Sequence, residues 1–273
     1  MRPHMANGTG LPPAAVRRRR NDLPCEIDRT AAESRFAVTP AFSMRLATLF
    51  SYGLAVLLVN ATFGHSQVAP SMSEQAGYTG LFAAASRGDA AAIARLSAAG
   101  ADLRARDGNG RTPLHVAAYA SQRDAMRALV KAGADPNAQE GDRYDIVTIA
   151  AVANDLPTLK AALELGCSAK NVTSRYDGTA LIAAAHLGHV DVVRELIRAG
   201  APLDHVNNLG WTALIESIVL GDGGPRHIAT LEALVNAGAN VNIADRGGTA
   251  PLQLATSRSY REMVVLLEKA GAH

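Results

Sequence analysis

Between residues 77 and 273 the apolar positions repeat with a period of about 33 residues. Gly100, Gly133, Gly166, Gly200, Gly238 and Gly271 close the periods at spacings of 33, 33, 34, 38 and 33, and all but Gly166, which precedes Cys167, are followed by alanine. Four residues before each glycine stands Leu96, Leu129, Ala162, Leu196, Leu234 or Leu267, and seven before it Ile93, Met126, Leu159, Val193, Leu231 or Val264. Positions three apart share one face of a helix, so this double ladder predicts a helix ending at each glycine, with the same apolar stripe turned to its neighbours. A third ladder, Leu81, Leu114, Val147, Leu181, Leu214 and Leu252, lies nineteen residues before the glycines, or twenty-four in the fifth period. It predicts an earlier helix in every unit, with a five-residue insertion in the fifth.

Local chemistry agrees with two helices per unit. Two residues before the third ladder stand Thr79, Thr112, Asp145, Thr179, Thr212 and Ala250. All but Ala250 can accept a hydrogen bond from a free amide of a first helical turn. Pro113 and Pro251 follow, where a missing N–H costs nothing. Small residues at Ala84, Ala117, Ala150, Ala184, Ser217 and Ala255 let helices of adjacent units approach closely. Gly88, Gly188 and Gly221, with Asn154, fall between the two helices, where a left-handed conformation is expected. Polar turns such as "DGNG" and "NNLG" then lead to the next unit.

The stretches "GRTPLHVAA" (residues 110–118) and "GADPNAQ" (133–139) resemble the ankyrin-repeat consensus, with weaker copies across residues 77–273. The resemblance implies an all-α solenoid of about six stacked helix-turn-helix units with hairpin-like turns. The third unit ("RYDIVTIAAVANDL") and the insert "GDGGPRH" in the fifth depart most from it. The insert is read as a longer solvated turn.

Composition narrows the rest. Residues are 48% hydrophobic but only 4% aromatic, which suits close-packed alanine-rich helices better than a large β-sandwich. The formal charge of +2 is uneven: residues 1–61 hold 8 Lys/Arg, including Arg17 to Arg20, against 4 Asp/Glu, and the remainder is slightly acidic. With no basic stripe on the repeats, no nucleic-acid partner is expected.

The basic N-terminal part carries an address. From Met44, Arg45 precedes a 14-residue apolar run, Leu46 to Val59, with small residues at Val59-Asn60-Ala61 and Gly64-His65-Ser66. This is the layout of a secretory signal peptide, and it is shorter than a membrane span requires. An uncleaved anchor and a buried core helix are the alternatives. Residues 1–43, with Pro12 and Pro13 and no apolar periodicity, are expected to be a disordered leader, untranslated if synthesis starts at Met44. The expected organisation is leader 1–43, signal peptide 44–66, linker 67–76 and repeats 77–273. The implied location is the periplasm of a Gram-negative bacterium or the medium, or the inner membrane if the signal is uncleaved. Cys25 lies in the leader and Cys167 stands alone beyond it, so a mature exported chain must fold without an internal disulfide.

Candidate chemistry is sparse. His115 follows Thr-Pro, yet its slot holds Phe82, Thr148, Ile182, Ile215 and Gln253 in other units, which no metal ligand or base would tolerate. In the family that histidine ties the start of the first helix to neighbouring backbone. His186 and His189 are separated by the turn at Gly188, and His205 and His227 lack partners at metal-ligand spacing. There is no nucleophile elbow, phosphate loop or HExxH motif. No cofactor and no metal are expected, and the leading reading is a non-catalytic protein-binding module, monomeric, with an unknown protein partner. A membrane-anchored or enzyme-associated regulatory subunit is the alternative. Tyr78, Arg111, Tyr144 and Trp211 precede the N-cap column, and Tyr119 lies in the second unit's first helix; rings and Arg most often carry interface energy, so these five are the candidate partner-binding residues.

Overall fold

The computed structural model describes residues 67–273, and within them the chain is helical. After α1 (Met72–Gly77) come six helix pairs: α2 (Gly80–Arg87) and α3 (Ala90–Ala98), α4 (Pro113–Tyr119) and α5 (Arg123–Lys131), α6 (Ile146–Val152) and α7 (Leu156–Glu164), α8 (Ala180–His186) and α9 (Val190–Arg198), α10 (Ala213–Val219) and α11 (Pro225–Asn236), α12 (Pro251–Ser257) and α13 (Arg261–Lys269). First helices pack on first helices and second on second, giving two layers that run the length of the stack. The leader, the signal segment and Cys25 lie outside the described residues.

The core follows the ladders. Leu114, Val147, Leu181 and Leu214 are buried between first helices, and Met126, Leu129, Leu159, Val193, Leu196, Leu231 and Leu234 between second helices. Ala117, Ala150, Ala184, Ser217 and Ala255 are almost wholly buried, so only small side chains fit where the layers close up. Leu252 and Val264 of the sixth repeat are half-buried, because no described residue covers its outer side.

Caps form by three routes. Asp145, Thr179 and Thr212 accept from the amides of Thr148, Ile182 and Ile215. Thr112 instead donates its amide to His115 Nδ1 at 3.1 Å. Ala250 has no side-chain acceptor, and its amide reaches Gln253 Oε1 at 3.4 Å. The turns are fixed by a second column at their entrance. One oxygen of Asp107, Glu140, Asn207 and Asp245 accepts the amides two and four residues on, within 2.8–3.0 Å. Successive turns then join, as Gly141 donates to the Asn109 carbonyl and Asn208 to the Tyr176 carbonyl. The only strand-like pairing among the described residues is one bridge, Thr173 with Gly178.

Three expectations change. Gly88, Asn154 and Gly188 do take positive φ, joined by Ser121 and Ser259, but Gly221 does not. Gly221 is needed for space: a Cβ there would collide with the Ser217 carbonyl oxygen and the His227 ring. The insert is not simply a solvated turn, since Pro225 starts α11 and leaves His227 inside the helix, buried against the preceding repeat. Its Nε2 reaches the His186 carbonyl at 3.0 Å, as His189 Nδ1 reaches that of Ala151 and the Tyr260 hydroxyl that of Gly221. Lastly, the stretch read as a linker holds α1, capped by Ser71 and Glu74 in a capping box.

Candidate functional site

The five residues singled out in the sequence occupy different environments. Arg111 is fully buried and pairs with Glu74 and Asp107; its Nη1 donates to the Val68 carbonyl at 2.9 Å. It therefore clamps the N-terminal segment to the second repeat and offers no surface to a partner. Tyr78 is half-buried, stacks on Phe82 and donates its hydroxyl to Asp107 Oδ2 at 2.7 Å. Tyr144, a candidate partner-binding residue, is buried beneath the third turn. Tyr119 is half-buried, and its hydroxyl is sequestered without a hydrogen-bond partner. Trp211 is half-buried and packs at the margin of the core, as Tyr78 and Tyr119 do.

The structure draws attention elsewhere on the same face. A cavity of about 220 Å³ opens across the third to fifth repeats. Its walls come from α6, α8, α10, the turns before each of them and Gln67, with none from second helices. Tyr144, Tyr176 and the hydroxyls of Thr148 and Thr173 line it, together with His186, Asn207 and Glu216. Glu216 is 3% exposed, and burial raises its carboxyl above the ordinary carboxylate range. Asn207 Nδ2 donates to Glu216 Oε1 at 2.8 Å, and His186 Nδ1 stands 3.4 Å from Oε2. Gln67, at the start of the described chain, also lines the cavity, and Val68 to Pro70 lead from it to α1. A segment of the chain's own backbone thus lies along the face made by first helices and turns.

Other reactive groups are silenced. His115 is wholly buried, its Nε2 facing the Ala138 carbonyl at 3.0 Å. Cys167 Sγ donates to the Pro136 carbonyl at 3.2 Å, and burial pushes its thiol up to about 12, far from thiolate chemistry. No group of three His, Cys, Asp or Glu side chains among the described residues is placed to hold a metal ion.

A stack of similar two-helix units, first helices on first and second on second, defines a repeat solenoid. The chain belongs to the ankyrin-repeat family: the model of ankyrin repeats in three copies matches residues 47–140 and 147–245. It is 38% identical over 103 residues to the ankyrin repeat protein YahD of Escherichia coli (strain K12), a match covering 37% of this chain and 51% of that protein, so the chain spans about half of the relative's length. An ankyrin repeat domain from Acinetobacter baumannii AYE superposes with a TM-score of 0.66 at 44% identity, over 71% of this chain and 98% of the other. The ankyrin repeat domain of Bcl-3, of the IκB protein family, gives 0.65 at 28% identity, over 72% and 88%. Ankyrin repeats generally mediate protein–protein interaction, and the fold is typically a non-catalytic one.

Proposed function

We propose that the chain is an exported, non-catalytic binding module that takes an extended segment of a partner protein on the face built by its first helices and turns. The observation that carries this reading is the chain's own segment, Gln67 to Pro70, lying along that face with Gln67 lining the cavity. A surface that accommodates one polypeptide segment has the shape and hydrogen-bonding groups to accommodate another. Trp211, half-buried just before the start of α10, is the ring most suited to border that face, since large rigid rings dominate interface energy.

Export rests on the Met44–Ser66 layout. Among the described residues no helix is long and apolar enough to cross a membrane. Alkaline phosphatase fused to the C-terminus of the full chain should be active in a Gram-negative host. An inactive fusion retained in the cytosol would refute export. Partner capture from the exported fraction, repeated with Trp211→Ala, should show binding weakened by about 2 kcal/mol. Undiminished binding by a folded Trp211→Ala chain would move the contact away from this rim.

A further inference from the structure

One core column breaks its own rule. Two residues after the third ladder the six repeats place Ala83, Val116, Ile149, Ala183, Glu216 and Leu254. Five are apolar and the remaining one is a buried carboxylic acid. Burying such a group costs stability, and departures from an otherwise consistent pattern concentrate where a protein does its work.

The surroundings are adapted to that carboxylate. Asp107 and Asp245 fix their turns with a carboxylate oxygen, but the corresponding residue before Glu216 is Asn207. Its Oδ1 accepts the amides of Leu209 and Trp211, which leaves Nδ2 to donate to Glu216. An aspartate there would set two carboxylates side by side. His186, contributed by the preceding repeat, stands against the other oxygen. Among the described residues no lysine or arginine lines the cavity, so none of them brings a permanent cation to Glu216 there. Tyr144 and Tyr176 add aromatic walls, and both carboxylates and aromatic faces attract cations. Gln67 forms part of its wall and fits poorly: its Nε2 is buried with no acceptor.

We propose that this cavity is a pocket for a basic side chain, lysine or arginine, of the partner segment, with Glu216 as its anion and Gln67 as the residue it displaces. The pocket rests on the groove reading above, and makes it specific: a basic residue is the anchor that the partner segment must carry. Burial holds the Glu216 carboxyl above its ordinary range, and a seated cation relieves that penalty.

Acetylated, amidated peptides Ala-Ala-Xaa-Ala-Ala, with lysine, arginine or norleucine at Xaa, test this by calorimetric titration of the full chain. The lysine or arginine peptide should bind at least about tenfold more tightly than the norleucine peptide, since a desolvated charge partner is being satisfied. Glu216→Gln should remove that preference, and Gln67→Gly, which leaves Glu216 in place, should tighten binding of the basic peptide severalfold. Equal affinity for the three peptides, or no binding at low-millimolar concentration, overturns the pocket even if Glu216→Gln fails to fold. Weaker or unchanged binding by Gln67→Gly overturns the displacement of Gln67. A partner captured from the host that binds Glu216→Gln as tightly as the unaltered chain removes the pocket while leaving the groove in place.

Discussion

His115 illustrates how a residue's neighbours choose its chemistry. The Ala138 carbonyl can only accept, so Nε2 carries the proton and Nδ1 accepts from the Thr112 amide and hydroxyl. Burial pushes the ring down to about 4 from an ordinary 6.5. Between those values the unfolded chain binds a proton that the folded chain refuses. Stability should therefore fall as pH drops from 6.5 toward 4, by up to about 3 kcal/mol from this group. Urea melts at about pH 7 and about pH 4.5 should show a smaller acid loss in His115→Gln; equal losses would mean that the ring is not held neutral. The structural role of His115 was legible because Phe82 and Ile182 occupy the same slot in other repeats. The burial of Arg111 was not, since its acceptors Glu74 and Val68 lie ahead of the first repeat, where no period signals them. Arg111→Met would leave two carboxylates facing each other and should cost about 3–5 kcal/mol. Arg111→Lys should restore little, because one ammonium cannot replace a fork that bridges Glu74, Asp107 and Val68. Proteolysis of both variants should cut residues 67–77 faster than the repeats, and equal rates would mean that the clamp does not hold α1.

At the scale of the helix pair, stability comes from each second helix meeting the next. Leu196 is fully enclosed in α9, so Leu196→Ala should lower unfolding free energy by about 2–5 kcal/mol in a denaturant melt. An unchanged melt would mean that the apolar register is misassigned. The ladders made this element readable, because every repeat restates the same stripe. The fifth repeat is where the period fell short. Five extra residues announced an insertion, but nothing local to "GDGGPRH" told that Pro225 would start a longer helix. The signal, available in hindsight, is that His227 stands eleven before Gly238, where His189 stands before Gly200. The insert keeps that slot by adding helix ahead of it.

Across the whole stack, the fold was readable and the site largely was not. Repeats reveal themselves by sameness, whereas the cavity depends on Glu216, His186 and Asn207, three departures from sameness on two adjacent repeats. Rings were the natural guess for a binding surface, yet Tyr144 serves the cavity wall from beneath its turn. The central claim is that a partner lies on the face of first helices and turns. Hydrogen–deuterium exchange of the chain, alone and with a partner captured from the exported fraction, measures this directly. Binding should slow exchange in residues 173–187 and 207–219, with α7, α9 and α11 unchanged. Protection confined to α7, α9 and α11 would contradict it.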